Sequence, residues 1–291
     1  MSAAVSPTVP GTLDRVLRLT PLGLRFLDES AQQPVTAGLK VTAVLEDHPG
    51  RPVQAQPGRS GAYVFHALPG INTLRPPEEL ERRDPVTGLL RPNDLGLEVF
   101  WLSQTRWQYR ITVIDEWRRF LPLSLRTLAP WPLGAVGSPP VPAVLPLSSA
   151  PTRSVPAGFA GLRFEVRGSW SAFAQFSVTS PGLGRECWGT ADASGQLLLL
   201  LPLPEPDAPA SPAEPSSPRA QRWRLALHGH RGYAAPGPAV PDLAVLQAAR
   251  RSPAVLQTSG GTPVVATVLR QGREWPESED GLNLLGPLTV A

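Results

Sequence analysis

Lysine is almost missing from this chain: of 27 basic residues, Lys40 is the single lysine. A phosphate cradle of the form Gly-x-x-x-x-Gly-Lys needs that residue at a fixed place, and none occurs. Cysteine is equally scarce. Cys187 stands alone, which excludes an internal disulfide framework. In Arg185-Glu186-Cys187-Trp188 no imidazole or other base lies close in sequence, so the thiol reads as a small buried apolar side chain. Charge of one sign is not in excess either, the net charge being +3. The arginines are scattered and form no stripe, so the pI of 9.6 carries no nucleic-acid signature. An Ala/Pro/Arg-rich, lysine-poor composition fits a GC-rich bacterial genome. No run approaches the roughly 18–20 apolar residues that a membrane-spanning helix needs. Residues 1–10 lack the basic segment and apolar core of a secretory signal. A cytoplasmic location without a membrane partner is expected, with release inside an assembled particle as the exception.

Catalytic scripts are missing as well. No Gly-x-Ser-x-Gly elbow appears, and Gly58-Arg59-Ser60-Gly61 has the wrong spacing for one. Glu78, Glu79, Glu81 and Asp84 mix with Arg82 and Arg83 as a solvated face would, not as a carboxylate pair with split pKa values. His228-Gly229-His230 sets two imidazoles on one side of a strand, a spacing metal sites use, but no third ligand is near. A turn at a strand end is the simpler reading. His66 reads as a satisfied or edge-facing side chain, and His48, beside Pro49-Gly50, as an exposed turn residue. No catalytic, cofactor-binding or metal-ligating residue is therefore assigned, and the chain is read as not an enzyme, with no cofactor and no small-molecule ligand.

What the chain does have is proline and glycine, 36 and 26 of its 291 residues. That content disfavours long helices and suits short strands with many turns. It also has a repeat. Gly23-Leu24-Arg25-Phe26 is followed 38 positions after its glycine by the turn Ser60-Gly61, then an apolar strand to Leu68-Pro69. Gly161-Leu162-Arg163-Phe164 is followed after 34 positions by Ser194-Gly195, then an apolar strand to Leu201-Pro202. Between tag and turn, residues 39–45 alternate apolar and polar, and residues 172–178 hold the matching place. Gln108-Tyr109-Arg110-Ile111-Thr112-Val113 and Arg222-Trp223-Arg224-Leu225-Ala226-Leu227 extend the likeness by one strand.

These signals divide the chain into domains. Residues 1–12 form a loose leader. Residues 13–128 form a first β-sandwich, with 71–96 as an insertion holding one or two helical turns near 76–83. A strand pair is expected over 97–102 and 107–114, and an edge strand over 120–125. Residues 129–158, with eight prolines, read as an extended, stiff connector. Residues 159–291 form a second sandwich, interrupted by a solvated Pro-rich loop at 204–221. One short helix is expected at 241–250, where Leu243 and Leu246 share a face. The fold class is all-β: two tandem antiparallel β-sandwiches.

One surface candidate stands out. Trp101, Arg106, Trp107, Tyr109, Arg110, Trp117, Arg118 and Arg119 form an aromatic–arginine run. Exposed, such a run stacks sugars or bases; on alternating strand positions, Trp107, Tyr109 and Ile111 instead fill a core. Trp107, Tyr109, Trp117, Arg118 and Arg119 are the candidates for protein contact or ligand stacking, with Arg118 and Arg119 beside Trp117 the best protein-contact group.

The passage from Gly23-Leu24-Arg25-Phe26 to Ser60-Gly61-Ala62-Tyr63 and Leu68-Pro69-Gly70 resembles carboxypeptidase-regulatory-like and Ig-like β-sandwich modules, which close on a Gly-aromatic strand and a Leu-Pro-Gly turn. A wider series resembles tandem-module proteins encoded beside contractile phage-tail-like injection systems. It comprises Asp115 with Arg119-Phe120-Leu121-Pro122, Leu145-Pro146-Leu147 to Arg153, Val155-Pro156-Ala157-Gly158, Gly189-Thr190-Ala191-Asp192, Gly195, Leu201-Pro202, Pro204-Glu205-Pro206 and Leu269 to Glu274. The likeness departs at Trp275-Pro276-Glu277, where an apolar strand is expected. It implies a non-enzymatic structural or adaptor component of such a particle, at its baseplate, with other protein subunits as partners. The rivals are a carbohydrate- or surface-binding sandwich using the aromatic run and a hydrolase with an unrecognised site.

Overall fold

The computed structural model describes residues 20–47, 50–71, 81–83, 90–92, 105–130, 143–179, 183–202, 222–234, 237–251, 253–254, 256–257, 267–270 and 288–290. The first half holds β1 (Leu22–Asp28), β2 (Gln33–Pro34), β3 (Leu39–Leu45), β4 (Val53–Gln54), β5 (Gln56–Pro57) and β6 (Tyr63–Phe65). It continues with β7 (Glu81–Arg83), β8 (Leu90–Pro92), β9 (Trp107–Asp115), β10 (Leu123–Ala129) and β11 (Ala143–Leu147). The second half holds β12 (Phe159–Arg167), β13 (Gln175–Thr179), β14 (Cys187–Thr190), β15 (Gln196–Pro202) and β16 (Arg222–His230). After the helix α1 (Leu243–Ala249) come β17 (Pro253–Ala254), β18 (Leu256–Gln257), β19 (Thr267–Arg270) and β20 (Leu288–Val290). The protein is all-β, with antiparallel sheets and, among the described residues, one short helix.

The repeat read from the sequence is a repeat of topology. One sheet of the first half runs β11-β1-β6-β5 with β2 on β1, and its counterpart runs β15-β12-β20-β18. In each, the tag strand (β1 or β12) lies between the strand after the Ser-Gly turn and the last strand of its half. The other sheets run β10-β9-β3-β4 and β14-β13-β16-β17, with β19 on β16. Thus β3, β4, β9 and β10 recur in chain order as β13, β14, β16 and β19. The two tag strands also share an exception to the antiparallel rule: β1 pairs with β11, and β12 with β20, in parallel. Parallel neighbours need a long crossover, and here nearly the whole half lies between them.

Alternation explains the strands of the first half. Leu22, Leu24 and Phe26 of β1, and Leu39, Val41, Ala43 and Leu45 of β3, point into one core with Tyr63, Phe65, Tyr109, Ile111 and Val113. The intervening residues keep some exposure, as a sheet with one wet face requires. Phe26 and Tyr63 meet edge-on at 5.4 Å, and Phe164 and Phe176 repeat that contact in the second core at 5.2 Å. At the second Ser-Gly turn, Gly195 has φ +85°, and a Cβ there would sit 2.2 Å from the Val166 carbonyl oxygen. Only glycine fits.

Three expectations need correction. Residues 81–83 are not helical; β7 pairs antiparallel with β8. The two segments flank Asp84-Pro85-Val86-Thr87-Gly88, so the turn chemistry that stops a helix also suits a hairpin. Within 129–158, read as connector, residues 143–147 form β11, in register with β1 from Leu24↔Ala143 to Asp28↔Leu147. Pro146 is tolerated because β11 is an edge strand, where one backbone donor is dispensable. The edge strand expected at 120–125 lies three residues later, as β10. The helix follows its expectation: Leu243 and Leu246 are buried, and the Asp242 side chain accepts from the Ala244 N–H at 2.9 Å. The leader 1–12, the strand at 97–102, His48, the whole 204–221 loop and the departure at 275–277 lie outside the described residues.

Candidate functional site

Of the five predicted contact residues, the structure brings three together and turns the other two inward. Tyr109 is 0% exposed, and its hydroxyl donates to the Pro69 carbonyl. Burial pushes its phenol up to about 12. Trp107 lies half-buried against the same core, with its ring under Gly70. Both face inward because β9 alternates, and together they anchor the Leu68-Pro69-Gly70 turn. Burial takes Tyr109 out of the contact candidates, and Trp107, partly buried, packs on the core, which is the alternative that strand alternation offered for both.

The remaining three sit on the turn after β9. Asp115, the last residue of that strand, is buried, and its carboxylate organises the turn. It accepts from the backbone N–H groups of Trp117, Arg119 and Phe120 at 3.4, 2.5 and 3.2 Å. It also accepts from Nε and Nη2 of Arg119 at 3.1 and 3.0 Å. A carboxylate that receives backbone donors and a guanidinium is a rigid anchor. Arg119 reaches further, donating to the Ala37 carbonyl at 2.7 Å. Its guanidinium stacks on Trp117, 4.4 Å from the ring centroid. Gly38 (φ +80°) lies directly behind: a Cβ there would meet the Trp117 ring at 2.7 Å and Arg119 Nη2 at 2.9 Å. Arg118 takes a left-handed conformation (φ +57°), unusual for a side chain of its size. The result is a fixed loop that presents Trp117, 61% exposed, with Arg118 beside it. Sequence reasoning found Trp117, Arg118 and Arg119 but not the roles of Asp115 and Gly38; the Asp-x-x-x-Arg spacing was the available signal.

A second polar assembly was not anticipated. Leu243 and Leu246 of α1, with Ala172 and Phe173, pack into the core of the first half, so the halves share apolar contacts. Around them run polar ties. Ser124 donates its N–H to the Pro241 carbonyl at 2.8 Å, and Thr190 Oγ1 donates to Ser148 Oγ at 2.9 Å. Arg185 donates to the Ser30 carbonyl. Arg250, the C-cap of α1, forms a fork on Glu29, Nη1 to Oε1 at 2.5 Å and Nη2 to Oε2 at 2.9 Å. Its Nε donates to Gln175 Oε1 at 2.5 Å, and Gln175 Nε2 donates to the Leu246 carbonyl at 2.7 Å. The chain leaving β11 is tied down as well, since Arg153 pairs with Asp28 at 2.6 Å and bonds Ser149 Oγ at 2.8 Å. A cleft at this joint, bordered by Leu147, Thr190, Leu243 and Arg250, has about 20 Å³ of free room. That suits one water-sized occupant.

The remaining candidates resolve individually. His228 is exposed and His230 buried on the same face of β16, and among the described residues no group of three or more His, Cys, Asp or Glu could hold a metal. Cys187 is buried, and burial pushes its thiol up, as for an inert core residue. His66 is exposed just beyond β6. Among the described residues no helix is long and apolar enough to cross a membrane.

Fold and surface together define an all-β protein of two like-ordered halves carrying a rigid tryptophan–arginine loop. No protein-family model matches the sequence, and no curated protein does. Among solved structures, a candidate adhesin from Bacteroides ovatus aligns over 90% of this chain and 96% of its own, with 8% identity and a TM-score of 0.22. A tetra-tandem repeat from the extending region of a large adhesion protein aligns over 92% of this chain and 73% of its own, with 10% identity and a TM-score of 0.14. Likenesses at these scores carry no argument about this chain.

Proposed function

We propose that this chain is a non-enzymatic structural or adaptor protein that docks another protein through the loop of Trp117, Arg118 and Arg119. One observation carries the reading: a largely exposed tryptophan is held in a single pose by Arg119, which Asp115 and the Ala37 carbonyl fix in turn. An aromatic pre-ordered in this way loses little conformational freedom on binding, and tryptophan and arginine dominate binding hot spots. The ties at the joint favour a body that transmits position between partners. The particular assembly, a contractile phage-tail-like injection particle with this chain at its baseplate, rests on the sequence resemblance alone. Residence in the cytoplasm before assembly belongs to the same reading.

The test is affinity purification of the tagged chain from a host that encodes it, with mass spectrometry of what stays bound, for wild type and Trp117→Ala. Sheath, tube or spike proteins should co-purify with wild type and fall at least tenfold with the variant. Equal recovery by both would remove the loop from the docking surface. Recovery of no particle protein would remove the assembly. Glycan-array binding that Trp117→Ala abolishes would replace the proposal with the carbohydrate-binding reading.

A further inference from the structure

The outer face of the sheet β14-β13-β16-β17 is polar and, at four positions, buried. One rung across it is Thr190, Gln175 and His230, and the next is Trp188, Ser177 and His228. Gln175, Ser177, Thr190 and His230 are all buried. Buried polar groups are normally hydrogen-bonded, because leaving one unpaired costs about 1–3 kcal/mol. Thr190 and Gln175 obey that rule through Ser148, Arg250 and the Leu246 carbonyl. His230 does not. It is 6% exposed, and neither ring nitrogen has a hydrogen-bond partner among the described residues.

Its surroundings place this ring beside the joint between the halves, one residue removed from the Arg250–Glu29 pair that crosses it. The imidazole lies 5.0 Å from the Trp188 ring, and the Arg250 guanidinium lies 4.5 Å from that same ring. Gln175, the rung neighbour of His230, is the side chain that orients Arg250 toward Glu29. We propose that His230 is a proton-operated release for the joint: the neutral imidazole lets α1 and Arg250 close on the first half, and the imidazolium drives them off.

The charges around the ring set the direction. Arg250 on the helix side and His228 on its own strand oppose a proton on His230; Glu186, on the segment entering β14, favours one. Glu29 is the counter-charge that Arg250 already uses. The Ala249 carbonyl at the end of α1 also favours the protonated form, without a hydrogen bond of acceptable geometry to either nitrogen. Burial outweighs these and holds the imidazole below its ordinary value. A group whose folded pKa lies below its unfolded one contributes stability that is complete above about pH 6.5 and is lost as pH falls through the folded value. Protonation adds a cation near Arg250 and two N–H donors that need acceptors. Lifting the end of α1 admits water to both and withdraws Leu243 and Leu246 from the shared core.

Hydrogen exchange on the full chain tests this at pH 7.5 and pH 5.0, after correction for intrinsic exchange rates. In wild type and in His228→Gln, the α1 amides of Leu246 and Arg250 should exchange at least tenfold faster at pH 5.0. In His230→Phe the two pH values should agree. Equal protection of wild type at both pH values, or a full response retained in His230→Phe, overturns the proposal. Should His230→Phe fail to fold, an NMR titration of wild type decides. The His230 ring and the α1 amides must change at one midpoint, below that of exposed His228. A ring that titrates at the ordinary value, or α1 amides that stay still while it titrates, sinks the idea.

Discussion

Replacing Arg250 by alanine removes the side chain that clamps α1 to the first half through charge. The Glu29 carboxylate is 9% exposed and, among the described residues, keeps only the Ser148 hydroxyl, at 3.2 Å, from its present partners. Gln175 Oε1 also loses the Arg250 donor. Removing one member of a fully buried pair costs about 3–5 kcal/mol, because the survivor stays buried without its counter-charge. Arg250 is 25% exposed, so solvent recovers part of that loss, and about 2–3 kcal/mol is expected. On a chain of this size that lowers the melting temperature by about 3–5 °C. The assay is urea unfolding of wild type, Glu29→Ala, Arg250→Ala and the double variant. The double variant should cost less than the sum of the singles, with a coupling of about 1.5–3 kcal/mol. Single losses under about 0.5 kcal/mol, or strict additivity, would refute the clamp. As an internal control, Arg167→Ala, which breaks the exposed pair with Glu165, should leave unfolding unchanged.

Other outcomes hang on single residues. All three tyrosines, Tyr63, Tyr109 and Tyr233, are raised by burial, so absorbance at 295 nm should show little tyrosinate at pH 10 in the native state. Stability then declines as pH climbs above about 10, because the unfolded chain releases those protons first; early ionisation of Tyr109 would contradict its burial. Trp117→Ala should alter folding stability by under about 0.5 kcal/mol while abolishing partner capture, measured by thermal melts alongside the purification. Gly195→Ala forces a Cβ to 2.2 Å from the Val166 oxygen and should cost at least about 2 kcal/mol by urea unfolding. Cys187 should react with a thiol reagent only as fast as the chain unfolds, because it is buried and its thiolate is disfavoured.

Much of the fold was legible because pleated strands leave a period of two. Residues 39–45 alternate, and β3 buries Leu39, Val41, Ala43 and Leu45. The duplication was legible from two tags and two Ser-Gly turns, since a left-handed turn position calls for glycine in both copies, as Gly61 and Gly195 show. What failed had competing local signals. Residues 81–83 are charged and follow a proline pair, which favours a helix start, while their pairing with residues 90–92 is a tertiary fact. Pro146 marked a connector, yet an edge strand tolerates it. The helix was visible from Leu243 and Leu246, but not that its apolar face belongs to the core of the other half. The same gap hid Arg250, Gln175 and Glu29, which meet across separations of 75 and 221 residues. Trp117 and Arg119 were legible as a pair; the exposure of Trp117, against the burial of Tyr109, depends on the point where β9 ends.

Docking through the loop is tested most directly by placing a photo-cross-linking phenylalanine at position 117 in the native host. Light should link this chain to one structural protein through that residue, at a yield that drops when the same probe replaces exposed Val144. Cross-links that are absent, equal at both positions, or directed to glycan alone would contradict a protein-docking role for the loop.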